Sequence, residues 1–131
     1  MAQFGLAYGA ALVAIIVLDG LWLGVVSGDL YQREMGTLMA DTFRVAPMIV
    51  FYLLYPAALV YLAVGVEPAG WGEATLRGAV LGLAAYGAYD LTNLAIVRDW
   101  PLKVSLIDLA WGGLLSAAAA ASAYAASWAR A

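Results

Sequence analysis

Cysteine and histidine are both absent from the 131 residues of this chain. Their absence excludes disulfides, the usual zinc sites, histidine-ligated haem and a cysteine nucleophile. Charge is also scarce: 11% of the residues are charged, Lys and Arg together number 6, and the net charge is −3. Because nucleic acid is bound by a basic face, we expect no nucleic-acid partner.

Apolar residues dominate the composition. They make up 66% of the chain, and the mean hydropathy is +0.89. A soluble protein of this length could not bury so much apolar surface, so we expect membrane lipids to surround it. The apolar runs predict an all-α integral membrane bundle in a single domain, residues 1–131. Its four transmembrane helices are predicted at about 4–26, 45–66, 77–97 and 102–128.

The first link, residues 27–44, has a pattern of its own. Its apolar residues recur at near-helical spacing, which predicts a short interfacial helix, although an ordered loop with a few anchors fits equally well. These residues are Leu30, Tyr31, Met35, Leu38, Met39 and Phe43. Links one and three hold four basic residues against two elsewhere. The positive-inside rule then predicts both termini outside the cell.

Small residues predict where helices approach each other. Pairs of glycines spaced four apart allow close contact in lipid. Such pairs occur at Gly5 and Gly9, Gly20 and Gly24, and Gly78 and Gly82. The stretch 116–126 is almost entirely Ala and Ser, so we expect this end of the last helix to face protein.

Each of three predicted helices carries one aspartate within the apolar run: Asp19, Asp90 and Asp108. Each lies about seven residues, or roughly 10 Å, from the side of links one and three. Ionisable residues inside a membrane are functional candidates by default. We therefore predict a shared polar layer with these three as candidate catalytic residues. The candidate ligand-binding residues at the same level are Trp22, Tyr52, Tyr55, Tyr86, Tyr89, Thr92, Asn93 and Trp111.

A structural role is the alternative for any of these residues taken alone. A polar side chain can tie membrane helices together at about 0.6 kcal/mol per hydrogen bond. An isolated charge at this depth costs about 2.5–3.5 kcal/mol even on the lenient insertion scale. Three acids without a basic partner would repel, so we expect at least one to be neutral. Arg98 or Lys103 reaching inward to an acid would favour the structural role.

The spacing of these residues resembles a known signature. The chain resembles a family of small bacterial membrane proteins known only as the domain of unknown function numbered 2177. The motifs are Asp19-x-x-Trp22-Leu23-Gly24, Phe51-Tyr52-x-x-Tyr55, Tyr86-x-x-Tyr89-Asp90-Leu91-Thr92-Asn93-Leu94, Trp100-Pro101 and Asp108-x-x-Trp111-Gly112. The resemblance covers nearly the whole chain. It implies a four-helix protein of the bacterial inner membrane and no particular activity.

Several functions fit this polar layer. The favoured one is a pocket that binds or processes a small lipid-like molecule, with the first link as its lid. The others are a proton-coupled transporter working as a homodimer and an accessory subunit of a larger membrane complex. A carboxylate Mg²⁺ site that includes Asn93 would need basic residues to hold a phosphate substrate. Since these are few, we predict no metal and no cofactor.

Overall fold

The computed structural model describes residues 2–26, 28–40, 42 and 44–130, and within them it contains helices and no strand. Phe43, one of the predicted anchors, lies outside the described residues. The helices are α1 Ala2–Leu21, α2 Gly28–Met35, α3 Val45–Leu59, α4 Trp71–Ile96 and α5 Leu102–Ala126. π-Helical turns at Trp22–Val26 and Val60–Val64 extend α1 and α3, and 3₁₀ turns form at Gly36–Leu38 and Trp128–Arg130.

Four of these helices are long and apolar enough to cross a membrane: Ala2–Val25, Val45–Val64, Trp71–Ile96 and Leu102–Ala126. The shortest has 20 residues, which at about 1.5 Å per residue spans the hydrocarbon core. The predicted all-α membrane bundle is therefore confirmed. The short helix expected in the first link is also present, as α2.

The bundle is apolar outside and packed with small residues inside. Large side chains such as Val13, Leu54 and Leu114 are more than half exposed, as expected for a surface that contacts lipid. The core contains alanines of α1 and α5 that are fully buried, such as Ala11 and Ala119. α5 is the most buried of the four spans, which agrees with the expectation for its Ala-rich end.

The closest helix packing is between α4 and α5. A Cβ atom added to Gly82 would overlap the backbone oxygen of Gly112, and one added to Gly78 would lie 2.5 Å from the Ser116 oxygen. Only glycine allows the two backbones to approach this far. The structure therefore has the close helix approach that the spacing of Gly78 and Gly82 predicts.

The glycines of α1 have a different outcome. A Cβ atom added to Gly5, Gly9, Gly20 or Gly24 would meet nothing within 4 Å. These pairs do not bring α1 against another helix of this chain among the described residues. The buried face of α1 instead carries small side chains such as Ala7 and Ala11, so glycine spacing alone does not identify the face that packs.

α4 begins at Trp71, earlier than the predicted start near residue 77. The Glu73 carboxylate accepts a hydrogen bond from the Ala69 N–H at 2.6 Å and pairs with Arg77. The Arg77 guanidinium also donates to the Val66 carbonyl at 2.5 Å. Arg77 therefore lies within α4 and not at its start. Its charge is accommodated there because the guanidinium binds the Glu73 carboxylate and the Val66 carbonyl.

Candidate functional site

A cavity of about 390 Å³ opens between the end of α1, the first link, the end of α4 and the start of α5. Asp19, Asp90 and Asp108 all line it. We refer to it as the acid cavity. The three aspartates come from three different helices, so the bundle brings together residues that are far apart in sequence.

Asp19 is held by two hydrogen bonds. The Tyr52 phenol of α3 donates to its Oδ2, and the Trp111 indole of α5 donates to its Oδ1 at 3.0 Å. The residue is 8% exposed. Both carboxyl oxygens of Asp19 therefore have donors, and the contacts connect α1, α3 and α5.

Two indole rings and one phenol lie next to Asp19. Trp22 and Trp111 stack with centroids 4.5 Å apart and an interplanar angle of 7°. The Trp22 Nε1–H donates to the Tyr31 hydroxyl at 3.3 Å, and that hydroxyl donates to Asp108 Oδ1 at 3.0 Å. Burial raises the pKa of the Tyr31 phenol, so the hydroxyl keeps the proton that it donates.

Asp90 has the opposite environment. Its side chain is fully buried, and neither carboxyl oxygen has a hydrogen-bond donor in the described part of the chain. The nearby Ser105 hydroxyl donates to the Asp90 backbone carbonyl at 3.3 Å and leaves the carboxyl unpaired. The neighbouring acidic group is Asp108, and two carboxyls can share a hydrogen bond only when one is protonated.

Basic side chains stay away from the three aspartates. Across residues 2–26, 28–40, 42 and 44–130, the ion pairs within 4.0 Å join Arg77 to Glu73 and Lys103 to Glu34. Lys103 is thus engaged at 3.8 Å with α2 and does not neutralise an acid of the cavity. The inward-reaching cation that would favour a purely structural role is not found there.

A second cavity of about 550 Å³ adjoins the first. The two share Tyr86, Tyr89 and Asp108 as lining residues. The remaining wall of the second cavity is mainly apolar and comes largely from α3, with Pro47, Met48, Phe51 and Tyr52. An acidic chamber and an apolar chamber thus meet at Asp108.

The family described as "Predicted membrane protein (DUF2177)" matches residues 4–125, a range that contains every candidate residue named above. The chain belongs to the DUF2177 family. No curated protein and no solved structure matches it. Membership confirms the resemblance seen in the motifs and identifies a membrane protein. It assigns no activity to the cavity.

Not every candidate residue of this DUF2177 member lines a cavity. Tyr55 is buried in the core, 2.6 Å from the Ser116 hydroxyl. Trp111 packs against that core and contacts the site through its hydrogen bond to Asp19 and its stacking on Trp22. Thr92 is exposed and donates to its own helix at Ala88. Asn93 is partly buried and is not among the described lining residues of either cavity.

The sequence pattern did not assign Tyr31 or Trp100 to the site, yet both line the acid cavity. The Trp100 indole donates to the Ser105 hydroxyl at 2.9 Å, next to Asp90. The spacing within the first link identifies Tyr31 only as one of its apolar anchors. Its position on the helical spacing of that link could have indicated that it faces the bundle, but nothing in the sequence indicates its partner.

Proposed function

We propose that this chain is a single transmembrane domain of the bacterial inner membrane that binds or processes a small lipid-like molecule in the acid cavity. The observation that carries the proposal is the buried carboxyl of Asp90, which has no hydrogen-bond donor in the described part of the chain. A buried polar group without a partner is costly, and most buried groups in proteins are satisfied. A ligand that supplies a hydrogen-bond donor near Asp90 and Asp108 would remove that cost.

The contrast with Asp19 supports a role in binding. Two donors from two other helices satisfy Asp19, as a residue that ties helices together requires. The carboxyl of Asp90 accepts no hydrogen bond from any donor in the described part of the chain. A protein that needed only a structural link at this position could use Ser, Thr or Asn at lower cost. A neutral carboxyl can instead orient or protonate the polar head of a ligand.

The first link is suited to act as a lid. Met35, Leu38, Met39 and Ala40 line the acid cavity on that side. In the described part of the chain, the polar contacts between α2 and α5 side chains are the Tyr31 hydrogen bond to Asp108 and the Lys103 pair with Glu34 at 3.8 Å. A segment held by so few polar contacts can open on the timescale of loop motion and admit an amphiphile from the bilayer.

Native mass spectrometry of protein purified in mild detergent tests the proposal. We expect a lipid-like adduct on the wild type, and its loss in Asp19→Ala, Asp90→Ala and Asp108→Ala. Glu73→Ala removes a carboxylate from the other end of the bundle and should keep the adduct. Asp90→Asn preserves side-chain size and should lose the adduct while its circular dichroism melting curve shows a folded protein. An adduct retained equally by all these variants would remove the case for a site.

A proton-coupled transporter acting as a homodimer is the second candidate, and the proximity of Asp90 to Asp108 favours it. Two adjacent carboxyls without a basic partner can exchange a proton for a substrate. Uptake into liposomes driven by a pH gradient, abolished by Asp90→Asn, would identify the transporter. A binding protein would instead keep its ligand and show no flux.

An accessory role in a larger membrane complex is the third candidate. The short links and the small-residue helices of the bundle are compatible with it. Purification as a stable monomer, free of other proteins, would count against this role.

A further inference from the structure

The charge of the acid cavity selects the sign of its ligand. Asp19, Asp90 and Asp108 line it, and each described Lys or Arg side chain that forms an ion pair does so with Glu34 or Glu73. In a medium of low dielectric, an anionic headgroup here would meet unscreened repulsion. A phosphate or sulfate head is therefore disfavoured, and a cation gains from each aspartate that is ionised.

The walls of the same cavity are aromatic. Five rings line it: Trp22, Tyr31, Tyr86, Tyr89 and Trp100. The faces of such rings attract a cation within about 6 Å of their centroids, and the attraction is strongest where water is excluded. Protein sites that bind an ammonium group commonly use aromatic side chains in this way.

The unpaired carboxyl decides between kinds of ammonium. Asp90 lines this cavity next to Asp108, and its buried carboxyl oxygens have no donor among the described residues. A primary ammonium offers three N–H donors, which can supply both the unpaired carboxyl of Asp90 and that of Asp108. A trimethylammonium group has no N–H to offer, so it can gain only charge and ring contacts.

The apolar part of the ligand has a separate place. The second cavity adjoins the acid cavity at Tyr86, Tyr89 and Asp108, and Met48 and Phe51 give it an apolar wall. Its volume of about 550 Å³ suits an alkyl chain of moderate length. An amphiphile can therefore lie with its head among the aspartates and its tail against α3.

We infer that the acid cavity binds a single-chain amphiphile with a primary ammonium headgroup, held by Asp108 and Asp90 within the ring of Trp and Tyr side chains, with its tail in the second cavity. This inference rests on the proposed function. It names the ligand class of the same site.

Four twelve-carbon amphiphiles that differ only in headgroup test the inference. They are dodecylammonium, dodecyltrimethylammonium, dodecanol and dodecyl sulfate, each titrated into the protein in nanodiscs of zwitterionic lipid while tryptophan fluorescence is recorded. We expect dodecylammonium to bind at least tenfold more tightly than dodecanol, dodecyltrimethylammonium to be intermediate, and dodecyl sulfate to give no saturable signal. Butylammonium, which lacks the tail, should bind at least tenfold more weakly than dodecylammonium.

Variants separate binding at the site from partition into the bilayer. Asp108→Asn should weaken dodecylammonium at least tenfold, whereas Glu67→Gln, which removes an exposed carboxylate from the second link, should leave the titration unchanged. If dodecanol or dodecyl sulfate binds as tightly as dodecylammonium and depends on Asp108, the pocket stands and the headgroup assignment is overturned. If butylammonium binds as tightly as dodecylammonium, the assignment of the ligand as an amphiphile is overturned. If none of the probes depends on Asp108 and no adduct is found by mass spectrometry, the proposed function falls as well.

Discussion

Two aspartates of one cavity have opposite surroundings. Asp19 accepts hydrogen bonds from Tyr52 and Trp111, whereas the carboxyl of Asp90 has no donor among the described residues. The same residue type therefore serves as a link between helices at one position and as an unsatisfied group at the other. We therefore expect any chemistry that depends on a free carboxyl to involve Asp90 and its neighbour Asp108.

At this scale we predict a protonated carboxyl. Adjacent acids with no basic partner within 4.0 Å lower their repulsion when one of them holds a proton. Fourier-transform infrared spectra of the wild type at neutral pH should contain a carboxylic C=O band that disappears or shifts in Asp90→Asn. Asp29→Asn, at an exposed position of α2, should leave the band unchanged. Spectra of wild type and Asp90→Asn that match in this region would contradict the prediction.

At the scale of the helices, α4 and α5 form the most closely packed pair of the bundle. Their backbones meet at Gly78, Gly82 and Gly112, and the ring of Tyr86 lies against Gly112 where no Cβ atom could fit. This contact fixes the position of the helix that carries Asp90 relative to the helix that carries Asp108. Helix packing therefore determines how close the two carboxyls are.

We predict that Gly82→Ala destabilises the protein by about 1–3 kcal/mol, because its new methyl group would overlap the Gly112 backbone oxygen. The matched control is Gly87→Ala on the same helix, where the Cβ atom would make an ordinary 3.4 Å contact with Leu109. Thermal denaturation followed by circular dichroism should give a lower Tm for Gly82→Ala only. Gly87→Ala should be neutral or slightly stabilising, since Ala has the higher helix propensity. Equal losses in both variants would show that the close approach is unimportant.

At the scale of the whole molecule, four spans place links one and three on the side of the acid cavity and the termini with the second link on the other. The absence of cysteine allows clean labelling, because each introduced thiol is the only one in the chain. The distribution of basic residues predicts that the termini face outward.

We predict that Gln3→Cys and Glu67→Cys react with a membrane-impermeant maleimide in intact cells. Thr37→Cys and Asp99→Cys should react only after the membrane is permeabilised. The four positions lie at the N-terminus and in the first, second and third links, so the pattern reports the number of spans as well as their direction. Labelling of all four from one side would contradict the four-span topology, and the reverse pattern would contradict only the orientation.

The sequence alone determined that this is an all-α membrane protein with four spans and an acid in three of them. These properties follow from composition and from the length of apolar runs, which act within one helix at a time. It also indicated the short helix of the first link, from spacing within that link. Family membership and the helical spans confirm this part.

Only the tertiary structure decided which acid is satisfied and which is not. Asp19 finds its donors on α3 and α5, and Tyr31 of the first link reaches Asp108 on α5. It also decided that the glycines of α4 make the closest contact while those of α1 do not. Such outcomes depend on which helices become neighbours and on how each helix is rotated about its axis. Contacts between side chains that are distant in sequence determine both.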